Sequence, residues 1–242
     1  MKIVKVRDYL EMSRVACEMI LEKVKNMKNP VLGLATGSTP EGLYRCMVHA
    51  YQVEKYSFQH VITFNLDEYL DLHQLHPNSY HFYMKRKLFD HVDIPKKNIH
   101  IPNGMAEDIE RECQRYDEKI RSAGNIDIQV LGIGINGHIG FNEPGTSFTS
   151  TTHVVHLDES TRKANSKYFL NLQDVPYKAI TMGIGSIMDS KEILLLVSGK
   201  KKASALAKLI NGEVCEQFPA SILKRHKNVT VIADWDALTK LN

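Results

Sequence analysis

His138 and Glu143 stand five residues apart inside Gly132 to Gly145, GIGINGHIGFNEPG, and that pairing can do chemistry. An imidazole that changes charge near neutral pH moves protons, and a carboxylate beside it orients the ring and stabilises the imidazolium. Gly132, Gly134, Gly137 and Gly140 permit positive φ and close backbone approach, so N–H groups and the imidazole can converge on a small ligand. A second acidic pair, Asp67 and Glu68, comes directly after the apolar run VITFNL at 61–66. Asp67, nearest the strand end, is the general-base candidate; Glu68 is expected to cap the next element or to pair with a base. A third element is VLGLATGSTPEGLYRCM at 31–47, which reads as strand, small polar loop and helix start. Gly37, Ser38 and Thr39 before Pro40 form a phosphate cradle, because a helix N-terminus offers unpaired N–H donors and partial positive charge. The Walker A spacing and its lysine are absent, so a monophosphate fits better than a nucleoside triphosphate. The plain alternative is that these hydroxyls only cap the helix.

Two other readings of the glycine loop compete. Gly132, Gly134 and Gly137 match G-x-G-x-x-G, but a dinucleotide site needs a helix running on from the third glycine, and Gly140, Pro144 and Gly145 oppose one. The loop could also be a structural turn around a hydrogen-bonded histidine. His73, His76 and His81 straddle Pro77 at irregular spacing, which reads as surface or capping residues; no metal site is expected.

The elements that must position these residues are legible from periodicity. Apolar runs at 31–34, 61–66, 126–131, 180–182, 193–197 and 229–233 read as strands, with an edge strand at 3–6 and shorter candidates at 99–101 and 153–157. Helices are expected after Asp8 up to Asn29, from Pro40, at 78–89, 106–123, 159–169 and 200–210. The alternation predicts one domain over 1–242 with a three-layer α/β fold and a mainly parallel central sheet. The Gly/Ser/Thr content after Gly145 marks a flap within about 145–170. With 43% hydrophobic residues in 242, one large core is within reach. A net charge of +3, with basic residues spread along the chain, indicates neither nucleic acid nor membrane as partner. Four dispersed cysteines without a C-x-x-C pair and a charged start that is no signal peptide fit the cytoplasm.

Taken together, ATGSTP at 35–40, NLDEY at 65–69, NSYHFYM at 78–84 and GINGHIGFNEPG at 134–145 resemble the glucosamine-6-phosphate deaminase family, and TRKANS at 161–166 and SGKKKASAL at 198–206 extend the match. The resemblance implies a Rossmann-like fold and conversion of glucosamine 6-phosphate and water to fructose 6-phosphate and ammonia, without a cofactor. By motif position it implies that Asp67 is the base, that His138 opens the sugar ring, that Glu143 and Asn136 assist it, and that Ser38, Lys202 and Lys167 contact phosphate. Some members have Asp at the position of Asn136 and many have Arg at that of Lys167; lysine keeps the charge but loses the bidentate fork. Longer, hexameric members carry a site for N-acetylglucosamine 6-phosphate built from Ser, Arg and Lys. Here those positions read Thr146, His153 and Val155, and the longer C-terminal extension is missing, so no activator site is expected. Monomer and homo-oligomer both stay open. The rival readings are a 6-phosphogluconolactonase-type hydrolase and a non-catalytic sugar-phosphate sensor. Tyr69 and the Asn142-Glu143 pair after Phe141 speak against the lactonase pattern, and the early first strand leaves no room for a DNA-binding segment.

Overall fold

Continuous apolar runs make strands that are buried on both faces, and seven strands pair side by side. The structure, a computed structural model, describes residues 1–157, 159, 162, 163, 166, 169 and 171–241. Its central sheet consists of β1 (Lys2–Val6), β2 (Val31–Leu34), β3 (Ile62–Asn65), β5 (Ile99–His100), β6 (Ile128–Gly132), β9 (Ile193–Val197) and β10 (Val229–Asp234). They lie in the order β1-β10-β9-β6-β2-β3-β5 with every pairing parallel. The expected edge strand at 3–6 is indeed an edge, and β10 lies inside the sheet between β1 and β9.

Helices cover both faces. Helix α1 (Tyr9–Asn26) starts where the Asp8 side chain accepts from the Glu11 N–H, the cap that its sequence implied. It shares one face with α2 (Glu41–Gln52), where Met12, Ile20, Leu43, Tyr44 and Met47 pack on Leu32, Leu34, Val130, Leu194 and Leu196. The alternate residues Val31, Leu131, Ile193, Leu195 and Val197 face the other layer, with Tyr116 and Ile120 of α4 (Ile109–Ser122) and Leu206 and Leu209 of a later helix. Each fully buried Leu or Ile contributes roughly 1.5–3 kcal/mol, so the sheet is held from both sides and its strand ends are fixed platforms.

A second sheet departs from the expectation. Asp67, Glu68 and Tyr69 do not simply trail from the third strand; they form β4 (Asp67–Tyr69). This pairs antiparallel with β8 (Lys178–Thr181), which pairs antiparallel with β7 (His153–His156). The runs at 153–157 and 180–182 are therefore strands, but of this small sheet. Helix α3 (Tyr80–Lys87) packs against β4. The remaining helices are α5 (Ile184–Met188), α6 (Ala203–Asn211) and α7 (Trp235–Leu238). The helix expected over 159–169 falls largely outside the described residues. Among the described residues no helix is long and apolar enough to cross a membrane.

Candidate active site

Because β2, β3, β6 and β9 are parallel, the segments after them leave the same edge of the sheet, and these segments carry the chemistry-bearing residues. Such carboxyl ends of parallel strands are where ligands bind in open α/β sheets.

After β6 the chain does not continue into a helix, which removes the dinucleotide reading. It turns at Gly137 and Gly140, both at positive φ (90° and 58°), and makes an isolated bridge between Ile139 and Asn142. Gly134 serves close approach: a Cβ there would lie 2.5 Å from the His138 ring, so the imidazole rests directly on backbone. His138 Nδ1 is 3.5 Å from Glu143 Oε2, an ion-pairing distance without hydrogen-bond alignment, and Nδ1 has no hydrogen-bond partner. Asn136 Nδ2 donates to the same Glu143 oxygen at 2.6 Å, and its Oδ1 accepts from the His138 N–H at 3.2 Å. A neutral amide here bridges the carboxylate and the loop backbone, and it needs no acid at 136 to fix the pair.

Asp67 enters from the small sheet. It is 6% exposed, and its Oδ1 has no hydrogen-bond partner. Burial, with the Glu68 charge second, pushes its carboxyl up to about 8. A carboxyl raised to near neutrality can both take and return a proton. Its position relative to the glycine loop is fixed by Thr181, the cross-strand partner of Asp67, whose Oγ1 accepts from the Phe141 N–H at 3.1 Å. A Cβ on Gly140 would lie 3.0 Å from that Oγ1 and 3.8 Å from Asp67 Oδ2, so the base candidate and the glycine loop are neighbours. Asn142 Nδ2 ties the loop to the Ile139 and Met182 carbonyls, leaving Asn142 Oδ1 without a partner. Buried polar atoms left unpaired cost roughly 1–3 kcal/mol each, and Asp67, His138 and Asn142 all carry one.

Glu68 points the other way. Its carboxylate accepts from the backbone N–H groups of Tyr69, Tyr80 and His81 and meets His81 Nδ1 at 2.8 Å. It both caps α3 and pairs with a base, as its sequence position led us to expect. His73 and His76 each accept from a backbone N–H two residues on, those of Leu75 and Asn78. Among the described residues, no group of three or more His, Cys, Asp or Glu side chains is arranged to hold a metal ion.

In the small polar loop, Gly37 has φ of 95° and α2 is capped at Pro40 without any side-chain hydrogen bond, so Ser38 and Thr39 do not cap the helix in the way the plain alternative required. Two tyrosines that sequence reasoning left unassigned or read as core hold the loop from outside. Tyr83 donates its hydroxyl to the Gly37 carbonyl at 2.6 Å, and Tyr9 donates to the Ser38 carbonyl at 2.9 Å while accepting from the Gly42 N–H at 2.7 Å. Phenol hydroxyls therefore occupy the carbonyls of both Gly37 and Ser38. Lys202 ends a 3-10 turn (Lys200–Lys202) entered through Gly199 at φ 88°, after β9. Lys167 lies outside the described residues.

These features define an α/β enzyme that carries at its strand ends a buried acid, a histidine–glutamate pair and a small polar loop before a helix. Residues 8–232 match the model of the glucosamine-6-phosphate isomerases/6-phosphogluconolactonase family, and the chain belongs to that family. It is 60% identical over 242 residues to a glucosamine-6-phosphate deaminase of Oceanobacillus iheyensis, covering 100% of this chain and 97% of that protein. It is 53% identical over 237 residues to glucosamine-6-phosphate deaminase 1 of Bacillus subtilis, with 98% of each covered. A solved monomeric glucosamine-6-phosphate deaminase superposes with a TM-score of 0.98 at 52% identity, over 99% of this chain and 100% of that one. A 6-phosphogluconolactonase from Thermotoga maritima shares the fold at a TM-score of 0.76 and 22% identity, covering 96% and 98%.

Proposed function

We propose that this chain converts glucosamine 6-phosphate and water to fructose 6-phosphate and ammonia, an isomerising deamination that hydrolyses a carbon–nitrogen bond in amino-sugar breakdown. The observation that carries the reading is a buried carboxyl, raised to about 8, beside a histidine–glutamate pair. Opening the sugar ring requires a proton to move from the anomeric hydroxyl to the ring oxygen. His138 shuttles it, with Glu143 and Asn136 fixing the ring and its charge. Asp67 then removes the proton on C2 and delivers it to C1, which leaves an imine at C2 that water hydrolyses to the ketone with release of ammonia. The loop at Gly37, Ser38 and Thr39, with Lys202 and Lys167, holds the phosphate. The identities of 52–60% to deaminases over nearly the full chain favour this over lactone hydrolysis. We place the protein in the cytoplasm, a setting that its free thiols suit.

Two measurements test the reading. Ammonia should be released from glucosamine 6-phosphate and very poorly from plain glucosamine, while Asp67→Asn should bind substrate yet lose exchange of the C2 hydrogen with solvent. Hydrolysis of 6-phosphogluconolactone without ammonia release from the amino sugar would overturn it.

A further inference from the structure

Away from the site, α1 and α2 cross closely. A Cβ on Gly42 would lie 2.1 Å from Ser13 Oγ, so only glycine allows the two backbones to meet there. One turn further along each helix stand Cys17 and Cys46, and the close approach of the helices at Gly42 places both thiols against one cavity. Both line a cavity of about 440 Å³, together with Arg14, Glu18, Arg45 and His49. Cys17 is 4% exposed and Cys46 is half-buried, so a small reagent entering the cavity meets Cys46 first and finds Cys17 behind it.

We propose that Cys46 is a peroxide-reactive thiol resolved by Cys17, forming a reversible disulfide between α1 and α2. The Cys46 thiolate attacks a peroxide oxygen; the O–O bond breaks, a sulfenic acid forms, and the leaving hydroxide takes up a proton as water. Cys17 then gives up its proton and attacks the Cys46 sulfur, forming the S–S bond as the S–O bond breaks and a second water leaves. Two thiols are oxidised by one peroxide, and a dithiol reductant reverses the reaction. The electrostatics assign the order of attack. A hydrogen bond from Cys17, then Arg45 and Arg14, hold the Cys46 thiol below its ordinary value, whereas the same bond and burial hold Cys17 above its own. Glu18 and Glu54 oppose ionisation on this face, and the two arginines and the thiol pairing outweigh them at Cys46. The bond would fasten together the two helices that carry Tyr9 and Gly42, behind the anion loop.

Intact protein should be alkylated by iodoacetamide at Cys46 roughly fivefold faster at pH 7 than at exposed Cys215, which serves as internal reference. After dilute hydrogen peroxide, peptide mass analysis should find the Cys17 and Cys46 peptides joined with the loss of two hydrogens, and dithiothreitol should release them. Cys17→Ser should abolish that link and leave Cys46 as a sulfenic acid captured by dimedone. Faster alkylation of Cys215 than Cys46, or peroxide treatment of the unmodified chain that yields no 17–46 link, would overturn the proposal.

Discussion

Replacing Asp67 with Asn should make the protein more stable and inactive at once, and the gain can be worked from the site. In the folded chain burial holds the Asp67 carboxyl at about 8 against an ordinary 3.8. Between those pH values the native state keeps a proton that the unfolded chain has lost, so stability falls as pH rises. The cost is absent below about pH 3.8 and complete above about pH 8. At 1.36 kcal/mol per pH unit the full gap amounts to about 6 kcal/mol, and the part between pH 6 and pH 8 to about 3 kcal/mol. Against a typical total of about 5–15 kcal/mol this is a large burden, and an amide, which never ionises, escapes it. Urea unfolding of both proteins at pH 5 and pH 9 isolates the effect, because all other groups titrate alike in the two. Asp67→Asn should be the more stable by several kcal/mol at pH 9, with the advantage largely gone at pH 5. An equal difference at the two pH values would refute the reasoning and would mean that Asp67 is ionised in the fold with a partner.

Three further outcomes are expected. Gly134→Ala should fold but lose about 100-fold in turnover, since its methyl would stand 2.5 Å from the His138 ring and push the imidazole off its seat; circular dichroism with steady-state kinetics separates the two effects. Glu143→Gln keeps the shape and the Asn136 neighbour but removes the charge facing His138, so kcat should fall roughly 100-fold or more with KM little changed. Saturation with glucosamine 6-phosphate should be hyperbolic and insensitive to N-acetylglucosamine 6-phosphate, because Thr146, His153 and Val155 provide no permanent cation for a second phosphate; a sigmoidal curve straightened by that effector would show another site at work.

Local signals accounted for the large sheet. Asp8 before an apolar stripe, Pro40 after Thr39, and unbroken runs such as Ile193–Val197 each state a helix start or a strand buried on both faces, and the structure agrees at each. The small sheet was not legible because β4 is only three residues long and carries two acids, and its partner strand lies far along the chain. Periodicity has nothing to measure over so short a span. Tyr83 was hidden for a related reason: it sits on an aromatic stripe that packs, yet its hydroxyl reaches a carbonyl 46 residues away. Of the glycines in the histidine loop, Gly137, Gly140 and Gly145 take positive φ, whereas Gly134 is needed only for room. Spacing alone does not separate those two demands.

The neighbouring acids on β4 raise a matter of alignment. Successive residues of a strand point to opposite faces, so sliding β4 by one position along β8 in one direction would bring Glu68 to the place of Asp67, and a carboxylate would still face the site. Composition could not tell the two arrangements apart. The bonds from Glu68 to the start of α3 and to His81 do, because a slipped strand would leave those N–H groups facing no acceptor. Glu68 thus acts as the key that admits one threading of the small sheet, and the proton-carrying role proposed for its neighbour depends on that choice.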